Sequence, residues 1–215
     1  MKKVLSLVLA FILVFSLSAC FGSDDGDGTI TSNGKSFTIG TISGQTYSND
    51  YINLTFSAPN GWVYYSEEEI AQINNIATEI LTGDVSEALA QTSSSTIMFS
   101  GQPNGSNNVN IRVEKSSSLE ASGLDSIEAF ADYYIDAVPS VLESSGFTVV
   151  DISSSSIKIG KAEHPTIEMH NQYMGFDIYQ RQILYVFNEH VVIVTITGET
   201  TSDIETITSG FAHID

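Results

Sequence analysis

The residues with the clearest capacity for chemistry lie in the stretch "HPTIEMH", where His164, Glu168 and His170 share one parity. On a strand, that parity puts all three on one face and Ile167 and Met169 on the other. Two imidazoles and a carboxylate are a zinc ligand set. Spacing narrows the reading, because His164 and His170 would stand about 20 Å apart on a straight strand. Glu168 and His170 with a third ligand from elsewhere form the version that survives. The simpler reading is a polar, solvent-facing strand surface, with no metal and no cofactor. Ser155 and Lys158 spell S-x-x-K, but a serine nucleophile of that type also needs S-D-N and K-T-G elements, and neither occurs. No G-x-S-x-G, H-E-x-x-H, P-loop or dinucleotide fingerprint occurs either. No catalytic residue is assigned. His190, in the hairpin turn Asn188-Glu189-His190, and His213, near the end of the chain, are expected in solvent.

The lone cysteine points in another direction. Lys2 and Lys3 precede an apolar run from Val4 to Phe15, and Leu17-Ser18-Ala19 lead into Cys20. The run is shorter than the roughly 20 apolar residues a membrane-spanning helix needs, and its basic start and small-residue end are those of a signal peptide. Leu17-Ser18-Ala19-Cys20 resembles the lipobox of bacterial lipoproteins. That resemblance implies a leader over residues 1–19, cleavage before Cys20 and lipid attachment to its sulfur. Two or more acyl chains hold stably at about 0.8 kcal/mol per buried methylene. A lipidated Cys20 leaves no thiol for a disulfide or for cysteine catalysis.

Eight basic residues face 26 acidic ones, for a formal charge of −18. Loss of Lys2 and Lys3 with the leader would take it to −20. Nucleic-acid binders need basic surfaces to displace counterions, so nucleic acid is excluded as a partner. The tract after Cys20, to residue 36, is rich in Gly, Asp, Ser and Thr and reads as a flexible acidic tether. About 15 such residues span roughly 20 Å. An EF-hand loop starting at Asp25 would need glycine at its sixth position, where Ile30 stands.

Residues 37–215 suffice for a single domain with one core. Tyr51 to Ser57 alternates as a strand, and Pro59-Asn60-Gly61 ends it with turn chemistry. Ser66 and Glu69 form a capping box before a helix that Gly83 would stop; a weaker helix follows over Val85–Ala90. Strands are expected around Thr96–Ser100 and Asn108–Glu114, and a long helix over Asp125–Ser145, kinked or split at Pro139. Further strands are expected over Phe147–Ile152, Ser156–Ile159, Thr166–Asn171, Phe176–Phe187 and Val191–Thr197, then a helix from Thr200 to Ala212. The serine runs at 93–95, 116–118 and 153–156 read as loops.

Ile183–Phe187 and Val191–Ile196 are apolar on both parities apart from Thr195. Such strands need cover on both faces, and the short connection between them makes them antiparallel neighbours. The expected fold is α+β, a three-layer α-β-α sandwich around a mainly antiparallel sheet. Phe56-Ser57-Ala58-Pro59-Asn60-Gly61-Trp62 followed by an acidic-start helix resembles the opening of the PsbP/DcrB-like superfamily. The closing order of long helix, long hairpin and a helix holding Gly210-Phe211 is similar too. The resemblance implies the same sandwich and docking or accessory roles, not one common reaction, and transfers no site residue.

The resulting expectation is a lipid-anchored protein on the extracytoplasmic face of the cell membrane. It would be a non-enzymatic docking or accessory module whose partner is an envelope protein or wall component. The alternative is a ligand-binding or hydrolytic envelope protein using a pocket edged by tyrosines and carboxylates.

Overall fold

The computed structural model describes residues 31–32, 35–36, 38–74, 95–103, 107–115, 124, 126–187 and 190–214. Cys20, the leader, Asp25, the Gly83 helix stop, Val85–Ala90 and the serines at 93–94 and 116–118 lie outside them. Two short strands, β1 (Thr31–Ser32) and β2 (Lys35–Ser36), pair with each other. They are followed by β3 (Thr41–Ser43), β4 (Thr46–Asn49), β5 (Leu54–Ser57), β6 (Trp62–Tyr64) and α1 (Glu67–Ile73). Next come β7 (Ser95–Pro103), β8 (Asn108–Lys115), α2 (Ile127–Ser144), β9 (Thr148–Ile159) and β10 (Ala162–Tyr173). The chain closes with β11 (Phe176–Phe187), β12 (His190–Gly198), α3 (Thr201–Thr208) and β13 (Phe211–His213).

The main sheet has seven antiparallel strands in the order β6-β7-β8-β12-β11-β10-β9. A four-stranded sheet is ordered β13-β5-β4-β3. β12 sits at the middle of the main sheet and is buried along its whole length. The residues that look apolar on both parities therefore serve two cores. Ile183, Tyr185, Val192, Val194 and Ile196 pack with Tyr47, Leu54 and Phe56 of the small sheet and with Ile204 and Ile207 of α3. Leu184, Val191 and Ile193 pack with Ala131, Tyr134, Val138 and Leu142 of α2. The molecule is thus a mixed α/β fold dominated by antiparallel sheet. Helix α2 covers one face, while the other is covered by the small sheet together with α1 and α3.

Local signals explain the helix starts. Ser66 and Glu69 close the expected capping box at α1. Ser126 caps α2 through the Ala129 amide, and Thr200 with Asp203 makes a second capping box at α3. Helix α2 runs through Pro139 as one element, so the expected split does not occur. Its buried stripe of Ala131, Tyr134, Val138 and Leu142 holds both halves on the sheet.

Three expectations change. The Ser153–Ser156 run is not a loop; it is the middle of β9, an edge strand where small polar residues face solvent on one side and pair with β10 on the other. Residues 50–53 form a turn rather than strand, with Asn53 left-handed at φ 56°. The terminal helix stops at Thr208, and Phe211–His213 becomes a strand on β5. Gly210 permits that return, since a Cβ there would lie 2.5 Å from the Ser57 carbonyl oxygen. The same backbones are joined by Ser57 N–H donating to Gly210 O at 2.9 Å.

Candidate functional site

Strands β9, β10 and β11 carry a polar strip on the face that continues toward α3 and β13. Register sets it: Glu168 stands opposite Arg181 and Ser153, and His170 opposite Tyr179 and Asp151. Arg181 is the hub. Its Nε donates to Glu168 Oε1 at 2.6 Å, its Nη2 to Glu205 Oε1 at 2.8 Å, and its Nη1 to Thr208 Oγ1 at 3.1 Å. Burial opposes the Arg181 charge, but hydrogen bonds and charges from Glu205 and Glu168 outweigh it and hold the guanidinium above its ordinary pKa. In return, the Arg181 hydrogen bond holds Glu205 below the usual glutamate value. Beside them, Ser155 Oγ lies 2.7 Å from Thr166 Oγ1 and 3.5 Å from Glu168 Oε1.

His170 has a different set of partners. Its Nε2 is 2.8 Å from Asp177 Oδ1, and its ring stacks on Tyr179 with centroids 4.3 Å apart. Gln172 Nε2 donates to the same Asp177 oxygen at 2.9 Å. These two bonds, Gln172 first, draw the Asp177 pKa down. Glu168 and His170 are therefore on one face, as their parity requires, but each carboxylate and imidazole is bound to its own partner. Among the described residues, no group of three or more His, Cys, Asp or Glu is placed to hold a metal ion. Ser155 and Lys158 have opposite parity on β9 and so point to opposite faces, which rules out a nucleophile–base pair.

The histidines expected in solvent are not there. His190 begins β12 and is 3% exposed, with Nδ1 at 3.1 Å from Tyr51 Oη. His164, 7% exposed, meets His213 across β10 and β13, Nε2 to Nε2 at 2.9 Å. His213 Nδ1 is 2.9 Å from the Asn53 carbonyl oxygen, and Tyr185 packs on both rings. Burial first, then the nearby His213, lowers the His164 pKa. Strand and turn neighbours 49 residues apart in the chain make this pair, and no local spacing announces it.

On the α2 face, Gln182 Nε2 donates to Tyr134 Oη at 3.0 Å and Gln180 Nε2 to Thr197 Oγ1 at 3.1 Å. Burial pushes the Tyr134 phenol well up. A groove of about 450 Å³ runs between α2 and the β9–β10 hairpin, edged by Glu128, Asp132, Glu163 and Pro165. It carries carboxylates and serines but no tyrosine.

One exposed feature is apolar. The β10–β11 turn places Met174 at φ 52° and Gly175 at φ 84°, the left-handed pair of a tight hairpin. A side chain at a left-handed position costs on the order of 1 kcal/mol, and glycine or asparagine would relieve it. Instead Met174 is 80% exposed and the adjoining Phe176 is 72% exposed.

No family profile matches this chain, and no curated protein matches it in sequence. Solved structures do resemble it. The solution structure of cyanobacterial PsbP from Synechocystis sp. PCC 6803 superposes with a TM-score of 0.47 at 10% identity, over 92% of this chain and 99% of that one. A Bacteroides thetaiotaomicron structure gives 0.38 at 11% identity, over 81% of this chain and 50% of that one. A Pseudomonas aeruginosa protein of unknown function, PA94, gives 0.31 at 23% identity, over 55% and 77%. All three scores lie below one half, so the description of the fold rests on its own strand order and cores.

Proposed function

We propose that the protein is a lipid-anchored envelope lipoprotein whose domain docks onto a protein partner through the β10–β11 tip. Met174 and Phe176 carry this reading: two large apolar side chains held in water on a strained turn gain only when something covers them. Covering a Met and a Phe is worth about 1.5–3 kcal/mol each. The partner surface that fits is an apolar pocket with a basic rim, given Asp177 beside the tip and the formal charge of −18. On this reading the fold is PsbP/DcrB-like, with α2 on one face of the main sheet and the small sheet, α1 and α3 together on the other.

Two experiments test it. Cys20→Ser is expected to release the protein from washed membranes, while the unaltered chain stays with them; a variant that remains bound after high-salt washing removes the anchor from the proposal. A photo-crosslinking residue at position 174, in intact cells, should give one discrete adduct. That adduct should fade with Phe176→Ser and with rising salt, since surface charges are screened within about 10 Å at 0.1 M. An adduct pattern unchanged by Phe176→Ser means that the tip is not the docking surface.

A further inference from the structure

We propose that His164 and His213 form a two-imidazole site for a borderline divalent metal ion, with zinc as the representative ion. The inference is independent of the docking role and rests on where three ring nitrogens are held: His213 Nδ1, His213 Nε2 and His164 Nε2. His213 Nδ1 sits 2.9 Å from the Asn53 carbonyl oxygen, an acceptor only, so Nδ1 carries the proton and Nε2 presents its lone pair. That arrangement, an imidazole oriented by a backbone carbonyl on its far nitrogen, is the usual support of a metal-binding histidine. The carbonyl is aimed by the left-handed turn at Asn53.

The His213 lone pair meets His164 Nε2 at 2.9 Å, with the two rings inclined by 59°. Without metal, His164 Nε2–H donates to His213. Moving that one proton to His164 Nδ1 leaves both rings neutral and turns both lone pairs toward the space between them. Two nitrogens at about 2.0–2.1 Å from a tetrahedral zinc stand roughly 3.3 Å apart, so the pair must open by a few tenths of an ångström and each ring must turn its Nε2 lone pair off the N–N line toward the ion. His164 is buried against Tyr185 while His213 is half-buried. Two nitrogen ligands suit zinc, copper or nickel better than calcium or magnesium.

The test is a zinc titration of the full chain in detergent, followed by the imidazole nitrogen resonances and by competition with a chromogenic chelator. The expected result is one zinc per chain, with the Nε2 resonances of His164 and His213 shifting together. His164→Asn and His213→Asn should each weaken binding by about tenfold or more, while His170→Asn, at the separate His170–Asp177 pair, should leave it unchanged. Should either substitution unfold the chain, the resonance shifts of the unaltered protein decide the matter. Zinc that moves only the His170 resonance, or no binding up to about 1 mM, overturns the proposal and leaves the pair as a hydrogen-bonded clasp.

Discussion

Val194→Asp is expected to lower the unfolding free energy by about 4 kcal/mol or more, enough to leave much of the protein unfolded at room temperature. Val194 is completely buried in the central strand, opposite Ile183 on one side and Ile111 on the other. Its side chain faces the core shared with the small sheet and α3. A carboxylate there loses its water, and the diagonal neighbour Arg181 is already bound to Glu168, Glu205 and Thr208, so it must either protonate or break the packing. Ile193, next along the strand and 1% exposed, faces the α2 core with Arg112 directly opposite. Ile193→Asp should therefore cost visibly less than Val194→Asp, because a guanidinium lies within cross-strand reach. Urea unfolding of the two variants gives the comparison. A loss under about 1 kcal/mol for Val194→Asp, small for a buried charge, would place β12 at the surface.

That central hairpin was legible because its evidence is local. Apolar residues on both parities of Ile183–Phe187 and Val191–Ile196 call for cover on both faces, which Ile183–Tyr185 and Val191–Ile196 receive while Val186 stays 49% exposed, and the short connection sets the pairing. The start of α1 was legible for the same reason, since Ser66 and Glu69 lie within one turn of each other. The β9 serines were not. Ser155 and Ser156 have little strand preference, and what fixes them is register against Thr166 and Pro165 on β10, with side-chain hydrogen bonds to Thr166 and Glu163. Phe211–His213 follows a capped helix with helical spacing, and only the approach of Gly210 to Ser57 turns it into a strand. The polar clusters were the least legible. Strand parity put Glu168 and His170 on one face, yet their partners Arg181, Glu205, Asp177 and Tyr179 come from other elements. Likewise, His164 meets His213 only after two sheets have packed.

Arg181→Met is the second substitution expected to have a large effect, and its size should depend on pH. Methionine keeps most of the stem's packing and deletes the guanidinium that joins Glu168 of β10 to Glu205 and Thr208 of α3. Breaking a buried ion pair costs about 3–5 kcal/mol. Here the Glu205 side chain is 67% exposed and water recovers part of the loss, so about 2 kcal/mol is expected at neutral pH. Because the Arg181 hydrogen bond holds Glu205 below its ordinary value of 4.5, the folded state binds this proton less readily than the unfolded chain. The resulting stabilisation is present above pH 4.5 and is lost as pH falls through the depressed folded value. The unaltered protein should lose stability over that acid window, and Arg181→Met should lose less. The gap between them is therefore widest near pH 7 and narrows below pH 4. Glu205→Gln should reproduce the acid behaviour with a smaller loss at neutral pH, as Glu168 keeps its bond to Arg181. Denaturant unfolding at pH 7 and pH 3.5 measures both gaps. An Arg181→Met deficit that stays constant across that range would mean that the stem's packing, not its charge, fastens α3 to the sheet.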